Sequence, residues 1–207
     1  MTYSAIADVS NVLVELIKTN AGARSPLDPN GIEVASPADI DSLSSVDVVL
    51  YPYQIETDAA MGSISRTTDG QSRQDRPLAL SVRYLVTAYA VDDGGEDDDE
   101  GQTDPVERQL LLGAVLQLFH DNSRIDPGDA PAPLLQEQPL SISITDEPLE
   151  ELLSLWSQFP DATHQPSATI EVSPVVIQSL NEEEFVRVEE RETSVGWRSE
   201  ESDDDSA

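Results

Sequence analysis

The chain reads as a single α/β domain, a mixed β-sheet with about three helices packed on it, followed by an acidic, disordered C-terminal tail. Three observations carry this reading. Apolar residues recur at helical spacing in three places and at extended spacing in five, in the order α-β-β-β-α-β-α-β. A length of 207 residues suits one sizeable domain. Acid is concentrated in two tracts that break the apolar pattern, which divides the chain into a domain over 1–180, interrupted by an acidic loop at 91–104, and a tail over 181–207.

The first helix is expected over Ala5–Thr19, where Ile6, Val9, Leu13, Leu16 and Ile17 form one stripe. Ser4 is placed to cap it, Asp8 lies near its positive end, and Asn20-Ala21-Gly22 stops it. Gly31–Ala35 alternates as a short strand ended by Ser36-Pro37. Val46–Ile55 is a stronger strand, in which Pro52 predicts a bulge or an edge. Ala59–Asp75 is polar and rich in Gly, Ser and Thr, a loop. From Leu78 to Thr87 apolar residues alternate without a proline, the pattern of a central strand.

Asp104-Pro105 opens the second helix with a cap, a first-turn proline and Glu107 at capping-box spacing. Its residues Leu110, Leu111, Leu112, Ala114, Val115, Leu116, Leu118 and Phe119 are apolar nearly all round, so it is expected to be buried on more than one side or to form an interface through Leu112 and Leu116. Gly113 would permit another backbone to approach. Leu140–Ile144 is a further strand, and Pro148 opens a third helix with Leu149, Leu152, Leu153 and Trp156 on one face. The last strand spans Ala168–Ile177. Pro174 lacks an amide donor and marks it as an edge, with Pro174 and Val176 as candidate contact residues. In the tail, Trp197 has no local core and is either idle or an anchor for a partner.

Charge is the dominant compositional fact: 41 acids against 11 bases give −30, and Lys18 is the sole lysine. Asp92–Asp104 and Asn181–Ala207 each contribute −8, so the body still carries −14. Such a surface repels itself until salt screens it, which points to a high-salt cytoplasm, that of an extreme halophile. Nucleic acid is disfavoured as a partner, because there is no basic patch to meet phosphates. Membrane is disfavoured too, because no apolar run approaches spanning length. The opening Met1–Ala5 lacks the basic start and apolar run of a secretion signal, so the expected location is the cytoplasm.

Chemistry is sparse. With no cysteine there is no thiolate ligand or nucleophile. His120 suits a helix C-terminus and His164 a polar surface loop, and no further ligands accompany either. Nucleophile elbow, phosphate loop and dinucleotide turn are all missing from the sequence. The run Asp92–Gly101 does not match the glycine and glutamate positions of a calcium loop and reads as a solvated charge run. The chain is therefore expected not to be an enzyme and to need no cofactor or metal.

Several segments occur together in the order of a known family. They are Ala5–Ser10, Val48–Tyr53, the run Arg76–Tyr89 (RPLALSVRYLVTAY), Leu111–His120 (LLGAVLQLFH), Glu150–Trp156 (EELLSLW) and Pro166–Val176. Over Ala5–Ser179 the chain resembles the cap, or tail-terminator, family of extracellular contractile injection systems, headless phage-tail-like particles with an inner tube inside a contractile sheath. The acidic loop and tail depart from that family's pattern. The resemblance implies a six-fold ring of this chain that binds inner-tube and sheath proteins, stops their polymerisation and leaves the cell as part of a released particle. It also implies that an edge strand accepts a strand from the sheath. A reading of another class is an acidic monomeric binding module or chaperone acting through its charge; oligomer size separates the two.

Overall fold

The computed structural model describes residues 2–21, 26–43, 46–58, 68–69, 72–89, 105–160 and 162–184. Helix α1 spans Ala5–Asn20 and buries Val9, Leu13, Leu16 and Ile17 of the stripe expected from its spacing, together with Val12, while Ile6 is only half-buried. Its start differs from expectation. A 3-10 turn, Thr2–Ser4, runs into it, so Ser4 is already helical and its Oγ bonds Asp8 Oδ2 at 2.9 Å instead of capping a backbone amide.

Strand β1, Ile32–Val34, follows a tight turn over Pro29–Gly31. Gly31 belongs to that turn and not to the strand. A Cβ at Gly31 would lie 2.8 Å from the Asp47 carboxylate, which itself accepts from the Asp28 amide, so any larger residue would have to displace that carboxylate. Strand β2, Val48–Thr57, runs parallel to β1 through Ile32↔Val48 and Val34↔Leu50. The irregularity expected at Pro52 is present as a register shift between Pro52 and Gln54.

The polar stretch read as a loop holds two short strands, β3 at Thr68–Asp69 and β4 at Ser72–Gln74. Strand β5, Leu78–Ala88, is central as expected. Helix α2 covers Pro105–Asp121; the expected cap Asp104 and the acidic loop lie outside the described residues. A two-residue strand β6, Arg124–Ile125, not foreseen, leads to β7, Leu140–Thr145. Helix α3 is Leu149–Trp156, and β8 is Ser167–Ile177. Beyond Leu180, where disorder was expected, Glu182–Glu184 forms β9 and pairs antiparallel with β4.

The main sheet has the order β1-β2-β5-β8-β7-β6, all antiparallel except β1 with β2; β3-β4-β9 form a second, small sheet. The alternation along β5 sorts the core into two layers. Val82, Tyr84 and Val86 join Val48, Leu50, Ile170, Val172, Leu140 and Ile142 against α1 and α2. Leu85 faces the other way and packs with Trp156 and Phe159, flanked by Tyr51, Tyr53, Leu152 and Leu155. Helices thus cover both faces, α1 and α2 on one and α3 on the other. Inside the first layer Tyr84 keeps its hydroxyl 2.9 Å from Ser10 Oγ, and burial pushes its pKa up to about 12.

Strand β8 lies between β5 and β7, so Pro174 does not mark an edge. β7 stops pairing at Ser141↔Ser173, and the register with β5 shifts just beside it, between Leu80 and Val82. Where β7 ends, Gln136 takes its place. Its Nε2 donates to Pro174 O and Gln138 O, both at 2.8 Å, and its Oε1 accepts from Val176 N–H at 3.0 Å. A buried amide side chain therefore serves as the next rung of the ladder.

Candidate assembly surface

The residues singled out from the sequence fall into three groups. Pro174 and Val176 are buried within the protomer, Val176 with only 1% of its surface exposed, so neither offers a free strand edge. Leu112 and Leu116 are half-buried on α2. Trp197 lies outside the described residues.

Helix α2 is fully buried along one line, Leu111, Val115 and Phe119 at i, i+4 spacing, with Leu112, Ala114 and Leu118 half-buried against the same core. Its apolar circumference is not matched by burial on a second side: Leu110 is 59% exposed, and a Cβ at Gly113 would meet nothing within 4 Å. The interface alternative for this helix therefore stays open. Helix α3 shows a similar imbalance. Trp156 is buried as expected, but beside Leu85, Phe159, Leu152 and Leu155; Leu149 and Leu153, expected on the same face, point away and are exposed.

On the α3 face a polar cluster surrounds Arg83. Its Nε meets Glu171 Oε2 at 3.1 Å and its Nη1 meets Glu147 Oε1 at 3.0 Å. The Tyr53 hydroxyl donates to the same Glu147 oxygen at 3.2 Å. Burial, reinforced by the Glu147 charge, pushes the Tyr53 pKa up to about 12. The hydrogen bond to Glu171 raises Arg83 further, so this guanidinium is a fixed cation joining β5, β8 and the approach to α3. Sequence inspection missed it because the three partners are far apart in the chain.

Both ends of the main sheet carry uncovered edges. β1 pairs with β2 only as far as Leu50, and among the described residues no strand lies outside β2 from Tyr51 to Thr57. β6 covers β7 only at Leu140 and Ser141, with a further bond from Ile142 N–H to Ser123 O, and no described strand lies outside Ser143–Thr145.

His120 sits in the last turn of α2, and His164 is exposed with its ring 5.1 Å from that of Trp156. Among the described residues no group of three or more His, Asp or Glu could hold a metal, and no helix is long and apolar enough to cross a membrane.

This fold is similar to those of two solved tube-terminating proteins. The chain aligns over 95% of its length with the sheath/tube terminator of the PVC extracellular contractile injection system in its extended state, at TM-score 0.63 and 16% identity. It aligns over 91% with the tube-terminating cap of the anti-feeding prophage, at TM-score 0.57 and 16% identity. It spans 65% and 61% of those two chains. The chain belongs to the Pvc16 N-terminal domain family, whose model matches residues 8–190. A search of curated proteins gives no match.

Proposed function

We propose that this chain is a structural cap that ends the inner tube and sheath of a contractile injection particle. The observation that carries the reading is the shared fold: nearly the whole chain superimposes on proteins that are themselves a sheath/tube terminator and a tube-terminating cap. In this reading the protomers close into a six-fold ring that offers tube and sheath no further stacking surface, and the chain performs no catalysis. The exposed side of α2 at Leu110, together with the half-buried Leu112 and Leu116, contributes to contacts with tube, sheath or neighbouring protomers, and Trp197 anchors a partner. The excess of acid adapts the particle to a salt-rich cytoplasm, where it assembles before release. Deleting the gene tests the reading. The expected result is tubes and sheaths of uncontrolled length in negative-stain images, restored by supplying the protein. Particles of normal length with both ends intact would refute it and leave the acidic binding module.

A further inference from the structure

We propose that neighbouring protomers join by main-chain pairing between the uncovered edge of β2 in one copy and the uncovered edge of β7 in the next, so that the six-stranded sheet continues from protomer to protomer. The inference rests on the ring reading above and specifies its joint.

Each edge is left open in a similar way. At one end of the sheet β1 covers three residues of a ten-residue strand; at the other, β6 covers the start of a six-residue one. Along β7, Ile142 N–H bonds outward to Ser123 O. Outward-facing groups repeat every second residue, so the N–H and C=O of Ile144 point to the same open side. The side chain of Ile144 is 47% exposed, and that of Ile55 on β2 is 51% exposed. Among the described residues, both strands thus present a backbone edge that no strand covers next to an apolar side chain, the combination that recruits another strand.

Charge selects which edge meets which. The open part of β7, Ser143-Ile144-Thr145, is uncharged in a chain of net charge −30. The open part of β2 carries Glu56 within the strand and is followed by Asp58; the open part of β7 carries no acid within the strand, and Asp146 follows it. Two β2 edges brought together would set carboxylates against carboxylates, which cross-strand pairing disfavours. Two β7 edges would join only three residues on each side and leave every β2 edge bare. Pairing β2 with β7 avoids the carboxylate clash and leaves neither kind of edge bare. Because these edges lie at opposite ends of one sheet, the contact is head-to-tail, the kind that builds rings or filaments and not two-fold dimers, and the ring reading requires that it close.

The chain has no cysteine, so cross-linking tests the joint directly. Residues facing each other on adjacent strands have Cα atoms about 4.5–5.5 Å apart, within disulfide range. Full-length double variants Ile55→Cys/Ile144→Cys and Thr57→Cys/Ile144→Cys sample two registers. Oxidised in molar KCl, at least one is expected to give a ladder of covalent multimers on a non-reducing gel, while each single variant stays monomeric. A second measurement uses Ile144→Pro, which removes the outward donor and leaves the β8-facing neighbours Ser143 and Thr145 in place. Its native mass should fall from ring to protomer, with Ile144→Ala retaining the ring. A wild-type ring with no ladder in either register, and with Ile144→Pro still assembled, overturns the pairing and leaves the cap reading standing. A dimer from a single-cysteine variant overturns it in favour of like edges meeting. Wild-type protein that stays a protomer at every salt and protein concentration overturns the ring itself.

Discussion

Replacing Gln136 by leucine isolates what this one side chain does for the sheet. Gln136 is only 7% exposed and makes three hydrogen bonds, two of them to the backbone of β8 beside Pro174. Leucine matches its size but leaves Val176 N–H and Pro174 C=O buried without partners. Each orphaned buried group costs about 1–3 kcal/mol. The added apolar side chain returns roughly 1 kcal/mol. The net loss is about 3 kcal/mol, a large share of the roughly 5–15 kcal/mol that holds a domain together. Urea unfolding in molar KCl reads it: with a slope of about 2 kcal/mol per molar, the midpoint should fall by about 1.5 M at unchanged slope. Gln136→Glu is a useful companion. It keeps an acceptor for Val176 but sets a buried charge against two carbonyls, so it should be worse than leucine at neutral pH and recover as the carboxyl protonates. A leucine variant whose midpoint stays within about 0.3 M of wild type would refute the argument that Gln136 completes the ladder.

Three further outcomes are expected. Val176→Asp should unfold the protomer, because its side chain is buried in the fold and lies at no interface edge; circular dichroism at neutral pH reads this, and a folded variant would contradict the burial. Tyr53, Tyr84 and Tyr89 each have a pKa pushed up to about 12 by burial, against 10.0 when unfolded. The unfolded chain therefore loses these protons first, so stability is intact below pH 10 and falls between pH 10 and 12; absorbance at 295 nm should show a late tyrosine step that shrinks in Tyr84→Phe. With 41 acids against 11 bases, the melting temperature should climb substantially from dilute to molar KCl, and a flat profile would refute the halophile reading.

Much of the fold was legible where periodicity and burial coincide. The stripe of α1 meets one core and the run of β5 is buried on both faces, so the pattern names each element and its place in the interior. Helix α2 shows the limit. Its apolar residues surround the axis, and only the sheet beneath it decides that Leu111, Val115 and Phe119 are the buried line. Pro174 misled because its missing donor was weighed without its surroundings: it sits where β7 has stopped pairing and the register with β5 shifts, and its carbonyl is taken up by a glutamine 38 residues earlier, in a stretch with no periodic signal. Strand β9 was hidden for a related reason. Three consecutive glutamates have little intrinsic preference for a strand, and it is pairing with β4 that makes them one. The surface residues were read least well, since exposure depends on what packs nearby and not on the side chain itself.

The position of β5 has a consequence for how the protein is made. One edge of this apolar strand is closed by β2, which precedes it, but the other waits for β8: Thr87 pairs with Ser167 and Leu78 with Ile177. At about 5–20 residues per second, translation of the intervening chain takes on the order of ten seconds. During that interval the nascent chain carries its most hydrophobic strand half-paired outside the ribosome, where a second nascent copy is a competing partner. Expression yield should therefore depend on holdase chaperones more than the final fold would suggest, and slowing synthesis between β5 and β8 should favour aggregates over soluble protein.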